Sequence, residues 1–189
     1  MDFNEIIDRL KDGNKRFVED KLNGRLENTQ KREELLKGQS PYAIILSCAD
    51  SRVMPELIFD TDLGELFIIR VAGNIANTSS IASIEYAVAY LNSKVILVLG
   101  HESCGAVTAA VEGGDNGYNL NHLLAHILPA KEMVKSGDLS EIIRKNAQNV
   151  ASQLQLRSQI ISDAVSSRQI KILVGYYHLS TGEVEFIES

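Results

Sequence analysis

The sequence predicts an α/β fold: a mainly parallel sheet, an antiparallel edge strand and an N-terminal helical arm. Three observations carry this. Four short runs, "YAIILS" (42–47), "LFIIRV" (66–71), "VILVLG" (95–100) and "IKILVGYY" (170–177), are apolar and rich in β-branched residues. They lack strict alternation, which marks strands covered on both faces. Stretches of helical periodicity separate them, and alternating strand and helix builds a sheet through crossovers. The tail "YYHLSTGEVEFIE" then holds a turn at Ser180 to Gly182 and a short strand, the pattern of an antiparallel hairpin at an edge.

Each element has its own signal. Residues 2–20 place Phe3, Ile6, Ile7, Leu10, Phe17 and Val18 at helical spacing opposite a charged face, so this helix packs on its own core or reaches a partner subunit. A polar surface helix over 29–37 begins after Asn28 or Thr29 as cap and stops at Gly38. Residues 1–38 are thus the expected arm of a single domain spanning 1–189. Over 79–92, Ile81, Ile84, Val88 and Leu91 share one face behind serine caps. Residues 120–135 and 139–167 are also predicted helical. "EGGDNG" (112–117) reads as a flexible surface loop and lacks the strand-before, helix-after context of a phosphate cradle.

Bulk properties narrow the function. A length of 189 residues and 44% hydrophobic content fit one ordinary globular domain. A net charge of -6 opposes general nucleic-acid binding. No apolar run is long enough to span a bilayer, and the charged N-terminus lacks a signal peptide's apolar stretch, so the expected compartment is the cytoplasm. Two cysteines make no disulfide framework; under reducing conditions, spaced cysteines point to metal or catalysis.

Both cysteines follow predicted strands, where ligands of open α/β sheets bind. Cys48 follows "AIILS", and Cys104 lies in "GHESCGA". His101 and Cys104, three apart at the start of an expected helix, can share a face. With Cys48 they offer two thiolates and an imidazole, a set suited to zinc with a fourth position open. Inert buried cysteines are the rival reading. A redox dithiol is disfavoured, because no C-x-x-C is present. Asp50 and Arg52 sit beside Cys48. An acid and base at a surface cap are common, but here Arg52 can hold the carboxylate by a bidentate pair and keep it off a metal. Two thiolates and a neutral histidine cancel the charge of zinc, so a naked aspartate would oppose a hydroxide there. Arg52 offsets it and leaves Asp50 as an orienting acceptor.

"SCADSR" followed by "GHESCGA", with "LFIIRVAGN" and "IEYAV" between them, resembles the β-class carbonic anhydrases. The similarity runs unbroken from Gln39 to Val111 and extends weakly to "STGEVEF". It implies zinc held by Cys48, His101 and Cys104, Asp50 and Arg52 as catalytic dyad, and reversible hydration of carbon dioxide to bicarbonate and a proton by zinc-bound hydroxide. Gln39 matches a substrate-binding glutamine often supplied by the neighbouring subunit. Phe67, Ala72 and Tyr86 match residues lining the apolar pocket, and Gly73 and Gly105 are backbone positions near the site. The expected strand order is 2-1-3-4-5, and the expected assembly is a homodimer or a higher homo-oligomer. Arg70 matches the arginine of a noncatalytic bicarbonate site, but Ile45 replaces that site's tryptophan, so this site is expected to be absent or crippled. His178 stands where many relatives carry aspartate and has no assigned role.

The rival functions are hydrolysis of carbonyl sulfide or carbon disulfide on the same scaffold and a noncatalytic zinc or bicarbonate-binding module; an intact Asp50 and Arg52 argue against the module. Elsewhere, His122 and His126 sit four apart with no cysteine or acid joining them, and read as a packed helix. Asp60, Asp62 and Glu65 read as a solvated loop, and Tyr176 and Tyr177 as packing.

Overall fold

A computed structural model describes residues 1–23 and 29–187. Its sheet has five strands: β1 (Ala43–Ser47), β2 (Leu66–Arg70), β3 (Val95–His101), β4 (Lys171–Tyr177) and β5 (Val184–Ile187). The order is β2-β1-β3-β4-β5. β1 pairs in parallel with β2 and β3, β3 with β4, and only β4–β5 is antiparallel. Class and strand order are those expected from the sequence. Every residue of β1 and β3 is buried, which is why these central strands read as continuous apolar runs.

Alternate residues of the central strands feed two cores. Ile44, Leu46, Ile96 and Val98 pack against α4 (Thr78–Leu91), α8 (Leu139–Arg157) and α9 (Gln159–Ser166). Ile45, Leu97 and Leu99 face Ile6 and Leu10 of α1 (Phe3–Val18) and Ile58 and Phe59, in and just after the short α3 (Pro55–Ile58). A third cluster caps the carboxyl ends of the strands. It includes Cys48, Cys104, Val107, Ile127 and Ile143.

α1 lies on its own sheet. Ile6 and Leu10 are 1% and 0% exposed, and burying such side chains contributes about 1.5–3 kcal/mol each. The ion pairs Arg9–Glu65 and Arg16–Asp60 join the same helix to the loop before β2, but partly exposed pairs contribute only about 0–1 kcal/mol. Burial therefore docks the helix, and the pairs set its register. Asp60 is thus not a solvated residue as expected: its carboxylate also accepts from Asn23 N at 3.0 Å. Close approach requires Gly13, where a Cβ would lie 1.9 Å from the Phe59 carbonyl oxygen. Beside it, the buried Asn14 donates to Ile58 O (3.2 Å) and Gly182 O (2.8 Å) and accepts from Val184 N (2.8 Å). One side chain so ties α1 to α3 and to the β4–β5 turn.

Three helical expectations change in detail. The stretch 29–37 is helical only as α2 (Thr29–Leu35), and the proposed Asn28 cap lies outside the described residues. The stretch 120–135 is two helices, α6 (Tyr118–Ala125) and α7 (Leu128–Met133); between α3 and α6 in sequence, besides α4, lies α5 (Gly105–Glu112). Pro129 has no N–H to give Ala125, so the ladder stops and restarts. The stretch 139–167 breaks at Ser158, whose extended backbone ends α8 while its hydroxyl accepts from Ile161 N at 3.2 Å and caps α9. The same hydroxyl donates to Glu85 Oε1 at 2.6 Å.

Candidate metal centre

β1 and β3 are adjacent and parallel, with Ser47 opposite Leu99. Their carboxyl ends therefore deliver Cys48 and His101 side by side. The chain then turns at Ser103, a non-glycine residue at φ 53°, and Cys104 becomes the N-cap of α5. His101 and Cys104 do not share a helix face as expected, because His101 is still a strand residue; the turn brings them together instead. Ligand atoms of Cys48, His101 and Cys104 all lie within 4.8 Å of one another and are buried, a group that could hold a metal ion. The two sulfurs are 4.0 Å apart.

The donor set fits a metal. His101 is 0% exposed. Its Nδ1 lies 2.9 Å from the Glu102 carbonyl oxygen, which as acceptor selects the Nδ1–H tautomer and leaves a lone pair on Nε2. That Nε2 is buried and has no hydrogen-bond partner, an arrangement that is costly unless a ligand takes the lone pair. Cys48 is pulled below the usual thiol range, first by its contact with Cys104, then by the N–H groups of Asp50 and Gly73; burial opposes them. Cys104 moves the other way, raised by the same contact and by burial. The two sulfurs lie close enough to share a proton, and either could donate it.

The acid beside the cluster is held away from it. Arg52 grips Asp50 by three bonds: N to Oδ1 at 2.9 Å, Nε to Oδ1 at 2.9 Å and Nη2 to Oδ2 at 2.7 Å. These bonds, the side-chain one foremost, hold the Asp50 carboxyl well below the ordinary carboxylate range. Arg52 Nη2 also reaches Ser103 O at 3.3 Å, bridging the two ligand loops. Asp50 Oδ2 stands 4.0 Å from His101 Nε2, so the carboxylate faces the same space as the free lone pair. Arg70 donates to Cys48 O (3.1 Å) and Asp50 O (2.7 Å). Its guanidinium braces this loop, and Ile45 is wholly buried in the core.

Other expected residues divide. Gly73 N donates to Cys48 Sγ at 3.3 Å; Ala72 precedes it in a short 3-10 turn (Ala72–Asn74), and Gly105 opens α5. Gln39 is exposed at the opposite end of β1 from Cys48. Phe67, opposite Ile44, and Tyr86, 48% exposed on α4, are ring neighbours with centroids 6.3 Å apart. Within this chain these three do not join the cluster. His178 is held by the hairpin, 3.4 Å from Glu185 Oε2 and edge-on to Tyr176. His122 and His126 meet edge to face at 5.5 Å, and among the described residues no third ligand joins them. Sequence reading passed over Asn146, whose Nδ2 donates to Gly73 O at 2.9 Å. The signal was present as an amide within α8's buried stripe of Ile142, Ile143 and Val150.

Known proteins share this architecture and sequence. Residues 43–184 match the family model for carbonic anhydrase. The chain is 36% identical over 183 residues to the carbonic anhydrase of Mycolicibacterium smegmatis, covering 93% of this chain and 89% of that protein. It is also 36% identical to carbonic anhydrase 2 of Mycobacterium tuberculosis over 180 residues, 92% of this chain and 87% of the relative. The β-carbonic anhydrase CcaA superposes with a TM-score of 0.74 at 26% identity, over 97% of this chain and 100% of its own. One of the tetrameric β-carbonic anhydrases of Sordaria macrospora superposes with a TM-score of 0.78 over 86% and 88% of the two chains; at 23% identity this is a likeness of fold.

Proposed function

The chain belongs to the β-class carbonic anhydrase family, and from that premise we propose that it catalyses the zinc-dependent, reversible hydration of carbon dioxide to bicarbonate and a proton. The observation that carries the metal part is the buried Cys48, His101 and Cys104 group with its unpartnered His101 Nε2. These three residues would hold the ion. Zinc, when bound, acts as a Lewis acid and makes water acidic enough to attack near neutral pH.

The chain's own residues supply the rest. Asp50 is the hydrogen-bond acceptor that aims the attacking water, since each carboxylate oxygen retains acceptor capacity beyond its bonds to Arg52. Arg52 keeps the carboxylate charged, off the ligand positions and in one orientation, by bidentate geometry. Ala72 and the Gly73 backbone flank the approach beside Cys48, where a small nonpolar gas needs little more than a dry surface.

Assembly belongs to the same proposal. Among the described residues β2 is an open sheet edge, α2 has no fully buried residue and Leu36 is 86% exposed. Tyr86 and Tyr90 stack on the surface of α4, with ring centroids 5.4 Å apart. A second copy covering this side would form a homodimer or higher homo-oligomer, in which residues 1–38 act as the arm of a single domain. Gln39, Phe67 and Tyr86 would then line the partner's site. Two free, buried thiols suit a reducing compartment, so the proposed location is the cytoplasm. Among the described residues no helix is long and apolar enough to cross a membrane. The test is an indicator-dye measurement of carbon dioxide hydration on zinc-loaded protein; with zinc shown to be bound, a rate equal to that of buffer would sink the proposal.

A further inference from the structure

We propose that Asn146 is a positioning residue for the metal centre, acting through the Gly73 peptide on Cys48. The inference rests on the reading of Cys48 as a metal ligand. Asn146 is 1% exposed and lies in the middle of α8, in line with Ile142, Ile143 and Val150. A buried amide opposes folding unless its atoms are bonded. Only part of this one is satisfied: Nδ2 donates to Gly73 O at 2.9 Å, whereas Oδ1 is buried without a partner. Asn14 is the contrast, because both its amide atoms are bonded. A half-satisfied buried amide contributes little net stability. Its place in an apolar stripe therefore calls for another account, and the next bond in the chain supplies one.

Gly73 N donates to Cys48 Sγ at 3.3 Å. Gly73 sits at φ 69°, a left-handed conformation that favours glycine. This left-handed conformation presents the N–H of Gly73 to Cys48 and its carbonyl to α8. Asn146 holds the carbonyl end, and the rotation of the loop, hence the direction of the N–H, follows. The other backbone N–H on that sulfur, Asp50 N at 3.4 Å, is local to the cysteine. Groups that bond to a metal ligand set its orientation and basicity, and losing one typically costs 10–100-fold in metal affinity.

The test compares metal binding by the native full-length chain, Asn146→Leu and Asn14→Ala. Leucine keeps the branching of asparagine and removes the unpartnered Oδ1 together with the donor, so folding should survive. Each protein is stripped with a chelator, then titrated with zinc(II) against a chromophoric chelator and with cobalt(II) while its sulfur-to-metal absorption is recorded. The expected result is an affinity at least about tenfold weaker for Asn146→Leu, with a shifted cobalt spectrum and little change in the melting temperature of the metal-free protein. Asn14→Ala should do the reverse, melting earlier but binding metal normally. Should Asn146→Leu fail to fold, Asn146→Ala, which removes both amide atoms without adding bulk or charge, is expected to show the same weakening. Native affinity and a native cobalt spectrum in a folded Asn146 variant would overturn the inference. So would equal weakening in Asn14→Ala, which would mark the effect as general destabilisation. A native chain that binds neither ion would overturn the underlying metal reading, visibly, before any variant is made.

Discussion

The two sulfurs of the centre lie 4.0 Å apart, yet the chain positions them over very different distances in sequence. Cys104 caps α5, and the N–H groups that favour its charged form, those of Val107 and Ala106, follow directly in the chain. Cys48 takes one N–H from its neighbour Asp50 and another from Gly73, 25 residues on. Gly73 is in turn held by Asn146, a further 73 residues away. One half of the site is therefore a local consequence of a helix start, where free N–H groups converge on whatever caps them. The other half exists only when β1, the turn after β2 and α8 have packed.

Replacing either cysteine should have the largest effect and would break the comparison if it did not. Cys48→Ser and Cys104→Ser are each expected to leave the purified chain essentially free of zinc, as read by elemental mass spectrometry, because both sulfurs are needed for a three-ligand site. Retention of zinc by one variant alone would show that the halves are not equal ligands.

Asp50→Asn touches the Cys48 half without removing a ligand. It should retain zinc while turnover falls by about 10²-fold, the usual scale for a group that directs a proton or water. Unchanged turnover in the hydration assay would remove Asp50 from the mechanism.

Asn14→Ala sharpens the contrast from outside the site. It leaves Ile58 O, Gly182 O and Val184 N without their partner. The expected cost is about 3 kcal/mol, read as a fall of roughly 10 °C in melting temperature with zinc content unchanged.

The smallest expected effect is the pH dependence of the Asp50–Arg52 pair. Arg52 lowers the folded pKa of Asp50 below its unfolded value, which is about 3.9. The pair's contribution is therefore complete above about pH 4 and fades as pH falls toward the lower folded value. Melting curves of the native chain and Asp50→Asn should differ at neutral pH and converge below about pH 4. A gap that widens on acidification would contradict this sign.

Much of the site was legible because it rests on strand ends and on short motifs. β-branched apolar runs located all four parallel strands; His101 ends one of them, and Cys48, Asp50, Arg52 and Cys104 follow two of them closely. What was misread depends on single residues that interrupt periodicity. Pro129 and Ser158 divide helices that composition alone runs together, and Ser103 turns the chain where a helical face was expected. Asp60 looked solvated because its partners, Arg16 and the backbone of Asn23, come from the other side of α1's docking.

By itself the sequence determined the fold class and the residues able to hold a metal, which follow from periodicities of a few residues and from side-chain chemistry, both written locally; the strand order came with the family resemblance that its motifs carry. Only the tertiary structure decided that Arg70 braces the carbonyls of Cys48 and Asp50, and that Asn146, far along the chain, reaches the Gly73 carbonyl. Hydrogen bonds act over about 3 Å, so groups distant in sequence acquire a role only after packing has brought them within that reach.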